Sequence, residues 1–243
     1  MSRLRPVAAV ILAAAAFAAA GYVIEQHDSV PNAGQVLGYS PPPSPHQSST
    51  GPRRTSSPPT LVVAFLGDDY TAGTRASTPS RRFSTLLCAA LHLSERNFGV
   101  PRTGYADTRG GTDYRSRIAR VIAARPDAVL VSGGRNDIID DPDTIAANAL
   151  QLFAKLRRGL PHARLIAISP LWGDSPPPPL LATIARSIST AVRAAGGAYL
   201  AVNDPLRGHP SWMADLADPN DTGYAAIERR LQAPLGALLY AGQ

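Results

Sequence analysis

Past residue 60 the chain alternates short, wholly apolar runs with longer stretches whose apolar residues recur every three or four positions. The run Leu61-Val62-Val63-Ala64-Phe65-Leu66 ends at Gly67, the pattern of a strand buried on both faces. Runs at 128–131, 165–168 and 198–202 repeat it, and 96–100 is a weaker strand. Between them, 80–93 carries Phe83, Leu86, Leu87, Ala90 and Leu91 at helical spacing, and 113–125 carries Ile118, Val121 and Ile122. Further helices are predicted over 142–160, opening at Pro142, over 180–195, stopped by Gly196-Gly197, and over 222–239. Strand and helix alternating five times predict an α/β fold: one five-stranded parallel sheet with helices on both faces. Such open sheets take ligands beyond the carboxyl ends of their strands. The loops there hold 67–70, 103–112, 134–137, Trp172 and 215–218, so every polar cluster of the domain falls on one rim.

Ahead of residue 61 the pattern changes. Ser2-Arg3-Leu4-Arg5 precedes an uncharged apolar run over 7–24. The run reaches the lower edge of a membrane span, and Ala18-Ala19-Ala20-Gly21 also suits a signal peptidase. Residues 1–30 are expected to be a signal or membrane anchor, with the two arginines kept inside and the rest of the chain exported. No cysteine follows the run, which excludes a lipoprotein anchor. Residues 31–60 are rich in Pro and Ser without periodicity, and read as a disordered spacer. Residues 61–243 form the predicted domain.

Composition narrows the classes. With 44% hydrophobic and 17% charged residues the chain can build a core. The net charge is +6, and the part after residue 60 keeps 20 basic against 16 acidic residues. No basic block is interleaved with aromatics, so nucleic acid is not an expected partner. Cys88 is alone, which excludes an internal disulfide and a Cys-rich zinc site and predicts a small buried hydrophobe. No cofactor is implied, and nothing in the pattern specifies an oligomeric state.

Three loops carry motifs. Leu66-Gly67-Asp68-Asp69-Tyr70 follows the first strand, Gly134-Arg135-Asn136-Asp137 the third, and Asp215-Leu216-Ala217-Asp218-Pro219 precedes the last helix. In this order and at these strand ends they resemble the blocks of the SGNH, or GDSL, hydrolases: Gly-Asp-Ser, Gly-x-Asn-Asp and Asp-x-x-His-Pro. The resemblance covers about 61–240. It implies a three-layer flavodoxin-like SGNH-hydrolase fold. It also implies an ancestry among esterases, lipases and carbohydrate deacetylases, and a ligand such as an acylated sugar or another envelope component. Asn136 takes the family's oxyanion-hole position, Asp215 that of the residue orienting the histidine, and either Gly111 or Gly104 that of the block-two glycine.

The departures decide the chemistry. Asp69 stands where the family has its nucleophilic Ser, and Asp218 where it has its general-base His. Loss of either group from such a triad costs on the order of 10⁶ in kcat, so ester hydrolysis by this site is not expected. The reading is a degenerate hydrolase that binds a ligand or partner. One alternative is an active esterase, acyl hydrolase or acyltransferase rebuilt around the acids, or around Ser132 and His209. Another is a scaffold with a vestigial cleft. Asp69, Asp215 and Asp218 are expected to lie together, which requires a shared proton, a bound cation or an inward-folded Arg135.

Overall fold

The computed structural model describes residues 60–240. The expected anchor and spacer lie outside the described residues. Among the described residues no helix is long and apolar enough to cross a membrane.

Five strands, β1 (Val62–Gly67), β2 (Ser94–Gly99), β3 (Ala128–Ser132), β4 (Arg164–Ile168) and β5 (Ala198–Leu200), form one sheet in the order β2-β1-β3-β4-β5. Every pairing is parallel. The helices are α1 (Asp69–Ala72), α2 (Phe83–Ala90), α3 (Ile118–Ala123), α4 (Pro142–Gly159), α5 (Pro179–Ala194) and α6 (Asp221–Tyr240). The three central strands are apolar apart from Ser132 at the end of β3 and Arg164 at the start of β4, because both faces are covered. Ala64, Leu66, Val129, Val131, Leu165 and Ala167 pack with α3, α4 and α5 on one side. Val63, Phe65, Ala128, Leu130, Ile166 and Ile168 pack with α2 and α6 on the other. The period of two thus serves two cores at once. Cys88 is buried in the second, which pushes its thiol up to about 12.

Two predicted helices are shorter than their periodicity suggests. The stretch 80–93 divides into a 3₁₀ turn over Pro79–Arg81 and α2, because Arg82 is extended between them. The stretch 113–125 divides into a 3₁₀ turn over Arg115–Arg117 and α3. β2 begins at Ser94, two residues before the predicted start at residue 96. It is a polar edge strand held by side chains rather than by burial: Glu95 accepts from the hydroxyls of Ser84 and Thr85, and Asn97 donates to the Thr71 carbonyl.

The order 2-1-3-4-5 reverses between β1 and β3. In such sheets the connections leave in opposite directions there and open a crevice at the carboxyl ends. Asp69 and Asn136 lie immediately past those two ends.

Candidate functional site

The loop after β1 turns sharply at Gly67, where a Cβ would collide with the Thr71 hydroxyl and the Ser132 carbonyl. Asp68 then caps α1, its Oδ1 accepting from the Tyr70 amide at 3.1 Å. Its Oδ2 is buried without a hydrogen-bond partner. Burial, with the neighbouring charge of Asp69, pushes this carboxyl up to about 7. Asp69 is the first residue of α1 and is 8% exposed. Its Oδ2 accepts two hydrogen bonds, from the Arg102 amide at 2.9 Å and from Asn136 Nδ2 at 2.9 Å.

Arg102 brings that amide into place with φ of +58°, a left-handed conformation unusual outside glycine. The two glycines suggested by sequence are spent elsewhere. The Gly104 amide donates to the Asp107 carbonyl at 2.9 Å, and the Gly111 amide to the Thr108 carbonyl at 2.7 Å. Gly104 has a different reason to lack a side chain: a Cβ there would strike the Asp137 carboxylate. Asp137 is fully buried and accepts from the amides of Tyr105, Ala106 and Asp107. It fastens the loop after β2 to the 3₁₀ turn Asn136–Ile139 after β3. Asn136 is thereby held beside Arg102, its Nδ2 also donating to the Thr103 carbonyl at 3.0 Å.

Opposite Asp69 lies Asp218, 8% exposed. Burial, and then the charge of Asp69, push its carboxyl up to about 6, while Arg135 opposes the shift. Its Oδ1 accepts no hydrogen bond, and Arg135 Nη1 stands 3.7 Å away. The Arg135 guanidinium lies 5.0 Å from the Tyr70 ring centroid and 5.9 Å from that of Trp172. Its Nη1 donates to the Ala217 carbonyl at 2.6 Å, which the Tyr70 hydroxyl also meets at 3.0 Å. Of the three ways to hold the acids together, the structure shows the inward-folded arginine.

Asp215 is not part of this contact. Its Oδ1 accepts from the amides of Ala217 and Asp218, and its Oδ2 from Arg75 Nε at 2.8 Å. Those two amides and Arg75 hold the carboxyl below its usual range. The three acids do lie together, since Asp215 bonds the Asp218 amide and its charge adds to the upward push on the Asp218 carboxyl, but Asp215 spends its oxygens on the turn and on Arg75. The cation considered from sequence lacks its donor set: among the described residues no three His, Cys, Asp or Glu side chains are grouped to hold a metal ion. His209 stacks on Trp212 with ring centroids 3.8 Å apart and does not line the cleft. Ser132 is buried at the end of β3, outside the cleft lining.

The cleft is about 640 Å³, with Asp69, Asn136 and Asp218 facing Arg102, Arg135 and Trp172. Trp172 also borders a second hollow of about 490 Å³, lined by Pro170, Leu181, Val202 and Asp204. Sequence reasoning missed Arg102, because its contribution is a backbone amide in a conformation that nothing in an arginine announces. It also missed Arg75 and Arg109 on the cleft rim.

Chemically, two N–H donors converge on one point, as they do for the oxyanion of an acyl-transfer reaction. In this chain a carboxylate oxygen of the protein already occupies that point. Thr74 supplies the one hydroxyl side chain of the cleft lining, and no serine, thiol or imidazole stands in it.

Residues 65–226 match the sequence model of the GDSL-like lipase/acylhydrolase family. No curated protein sequence matches the chain. Among solved structures it is similar to a family two carbohydrate esterase from Clostridium thermocellum in complex with cellohexaose: TM-score 0.62, 15% identity, covering 76% of this chain and 66% of that one. An acetyl xylan esterase from the rumen bacterium Butyrivibrio proteoclasticus gives the same TM-score, identity and coverages. A salicylyl-acyltransferase from a tetracycline biosynthetic pathway gives a TM-score of 0.58 at 19% identity, covering 77% of this chain and 56% of that one. The chain thus spans about two thirds of the length of the two esterases. At these identities the likeness is one of fold.

Proposed function

The chain belongs to the GDSL-like lipase/acylhydrolase family, and from that premise we propose that it is a degenerate member. In this reading it binds a carbohydrate ligand of the cell envelope, such as an acylated sugar, and does not hydrolyse esters. The observation that carries the reading is the seat of Asp69. In a working acyl hydrolase a serine attacks and a histidine takes its proton, while the N–H donors stay free for the developing oxyanion. Here the Arg102 amide and Asn136 Nδ2 both donate to Asp69 Oδ2. A substrate carbonyl would have to displace a carboxylate, and would then meet neither a serine nucleophile nor an imidazole base. What remains is a cleft of about 640 Å³ with an aromatic side chain and several fixed polar groups, a size and make-up suited to a ligand site. The carbohydrate assignment is supported by the neighbours whose structures are those of carbohydrate esterases. The basic Arg3 and Arg5 ahead of the apolar run over 7–24 support export with tethering at the membrane.

The test is a pair of assays on the full chain. p-Nitrophenyl acetate and acetylated xylan should be turned over no faster than by an unrelated protein, while oligosaccharides should raise the melting temperature. Turnover that survives Asp69→Ala and Asp218→Ala would send the search to Ser132 and His209, and would end the degenerate reading.

One observation favours a second reading. Asp69 is held by two donors, while burial raises Asp218 to about 6, and two carboxylates in unlike surroundings are the usual equipment for acid–base chemistry. A rebuilt enzyme of this kind, hydrolase or acyltransferase, would show turnover that falls as pH rises past about 6 and vanishes in Asp218→Asn.

A further inference from the structure

The charges around the cleft are unevenly placed. Its acids, Asp69 and Asp218, sit at the bottom and are 8% exposed each. Four arginines, Arg75, Arg102, Arg109 and Arg135, line the same cleft. The Arg75 and Arg109 side chains are 62% and 48% exposed. Each rests on a carboxylate outside the cleft lining: Arg75 on Asp215, and Arg109 on Asp107 through both carboxylate oxygens. Arg109 Nη2 also donates to the Asn136 carbonyl at 3.0 Å, which fixes its guanidinium at the cleft edge. Arg102 is exposed, and its side chain leaves the residue whose amide binds Asp69. Arg75, Arg102 and Arg109 therefore make the mouth basic, while Arg135, its side chain 14% exposed, lies at depth with the two acids. A planar guanidinium matches carboxylate or phosphate oxygens two at a time. Two of these four are held in place by neighbouring acids, so less side-chain freedom remains to be lost on binding.

Trp172 adds a second element. It borders both the main cleft and the adjoining hollow of about 490 Å³. A chain-like ligand can pass from one to the other across an aromatic side chain that offers an apolar face to a sugar ring.

We propose that the ligand of this cleft is an anionic glycan, whose carboxylate or phosphate groups engage the arginine rim while its sugar units cross Trp172. The proposal rests on the carbohydrate reading above and names the class of carbohydrate.

Isothermal titration of the full chain tests it with hexagalacturonate for the carboxylate, a phosphomannan oligosaccharide for the phosphate, and cellohexaose as the neutral chain. Inorganic phosphate and a short DNA duplex serve as anions without the glycan. At least one charged oligosaccharide should bind about tenfold more tightly than cellohexaose. That binding should weaken by about tenfold between roughly 50 and 300 mM NaCl, as exposed charge pairs do. Which of the two charged chains binds more tightly assigns the anionic group. Arg102→Gln keeps the backbone amide and removes only the exposed charge. It should weaken the charged oligosaccharide several-fold, leave cellohexaose unchanged and leave the melting temperature in place, and Arg102→Glu should weaken the charged chain further. Equal affinity for cellohexaose without salt dependence overturns the anionic assignment and leaves the carbohydrate reading standing. Failure of every oligosaccharide, charged or neutral, overturns both. Phosphate or DNA bound as tightly as the best oligosaccharide overturns the glycan half of the proposal.

Discussion

Asp137 and Asp218 stand on the same rim of the sheet, and burial pushes both carboxyls up to about 6. The routes to that common value differ. Asp137 is fully buried, and three amide donors oppose the cost of burying its charge. Asp218 has one oxygen without a hydrogen bond and a second acid nearby whose charge adds to the cost, with Arg135 3.7 Å away as the opposing influence. The first is a fully bonded latch between two loops. The second keeps unspent bonding capacity in a cleft that a ligand can reach. A shifted titration does not separate these roles, whereas an inventory of hydrogen bonds does.

The comparison breaks most visibly if the latch is removed. Asp137→Ala leaves three buried amides unpaired and should cost about 3 kcal/mol or more. In a domain of this size that is a fall of roughly 10 °C in melting temperature, measured by calorimetry. An unchanged melting temperature would show that Asp137 is not the latch.

Next in size is a gain of activity at the other carboxylate. Asp69→Ser combined with Asp218→His places a hydroxyl beside the Arg102 and Asn136 donors and an imidazole opposite it. Each single change should do little, because neither group works without the other. The pair should hydrolyse p-nitrophenyl acetate about 10²-fold faster than the unmodified chain, a modest rate because small misplacements cost about that factor. Adding Arg75→Ala should raise it further by freeing Asp215, now bound to Arg75, to orient the imidazole. A folded double variant no faster than its parents would dissociate Asp69 and Asp218 from the family's reactive pair.

A smaller effect separates the two carboxylates by pH. The folded carboxyl of Asp218 titrates near 6, above its ordinary value of 3.8. Folding therefore favours the protonated form. The stabilisation is complete below about pH 4 and is lost as pH rises through 6. Asp218→Asn keeps the neutral shape and should be more stable than the parent at pH 7.5, by on the order of 1 kcal/mol, with the gain vanishing at pH 4. Loss of stability at both pH values would mean that the charge itself is needed there.

The smallest effect belongs to Asp69→Asn. An amide oxygen at this position still accepts from Arg102 and Asn136, so stability should rise by a few tenths of a kcal/mol or stay level. The reporter is the titration of Asp218 by NMR, whose midpoint should move down once the charge of Asp69 is gone. A midpoint that stays in place would uncouple the two acids.

How much of this was legible in the sequence follows from where the information resides. The central strands were plain because burial on both faces demands continuous apolar runs, and the motif loops fell at the strand ends where β1 and β3 diverge. β2 was blurred because its polar residues are satisfied by helix hydroxyls and amides, which leaves no apolar signal. Asp69, Asn136 and Asp218 were found because their side chains carry the chemistry. Arg102 was missed because only its amide does, in a backbone conformation more often read from glycine. Asp215 was placed beside Asp218, but spacing alone did not reveal that Arg75 and two amides would claim both its oxygens.

The carboxylate of Asp69, resting on the Arg102 amide and Asn136, has the shape of the acid that an esterase releases at the end of its cycle. The site is fixed in its own product state, by a product that cannot diffuse away. Reagents that trap serine hydrolases, such as fluorophosphonates, depend on a hydroxyl to form their bond and on empty donors to hold the new oxyanion. The seat of Asp69 offers neither, so on the proposed degenerate reading activity-based profiling of serine hydrolases would pass this protein by while labelling catalytically intact relatives of the same fold.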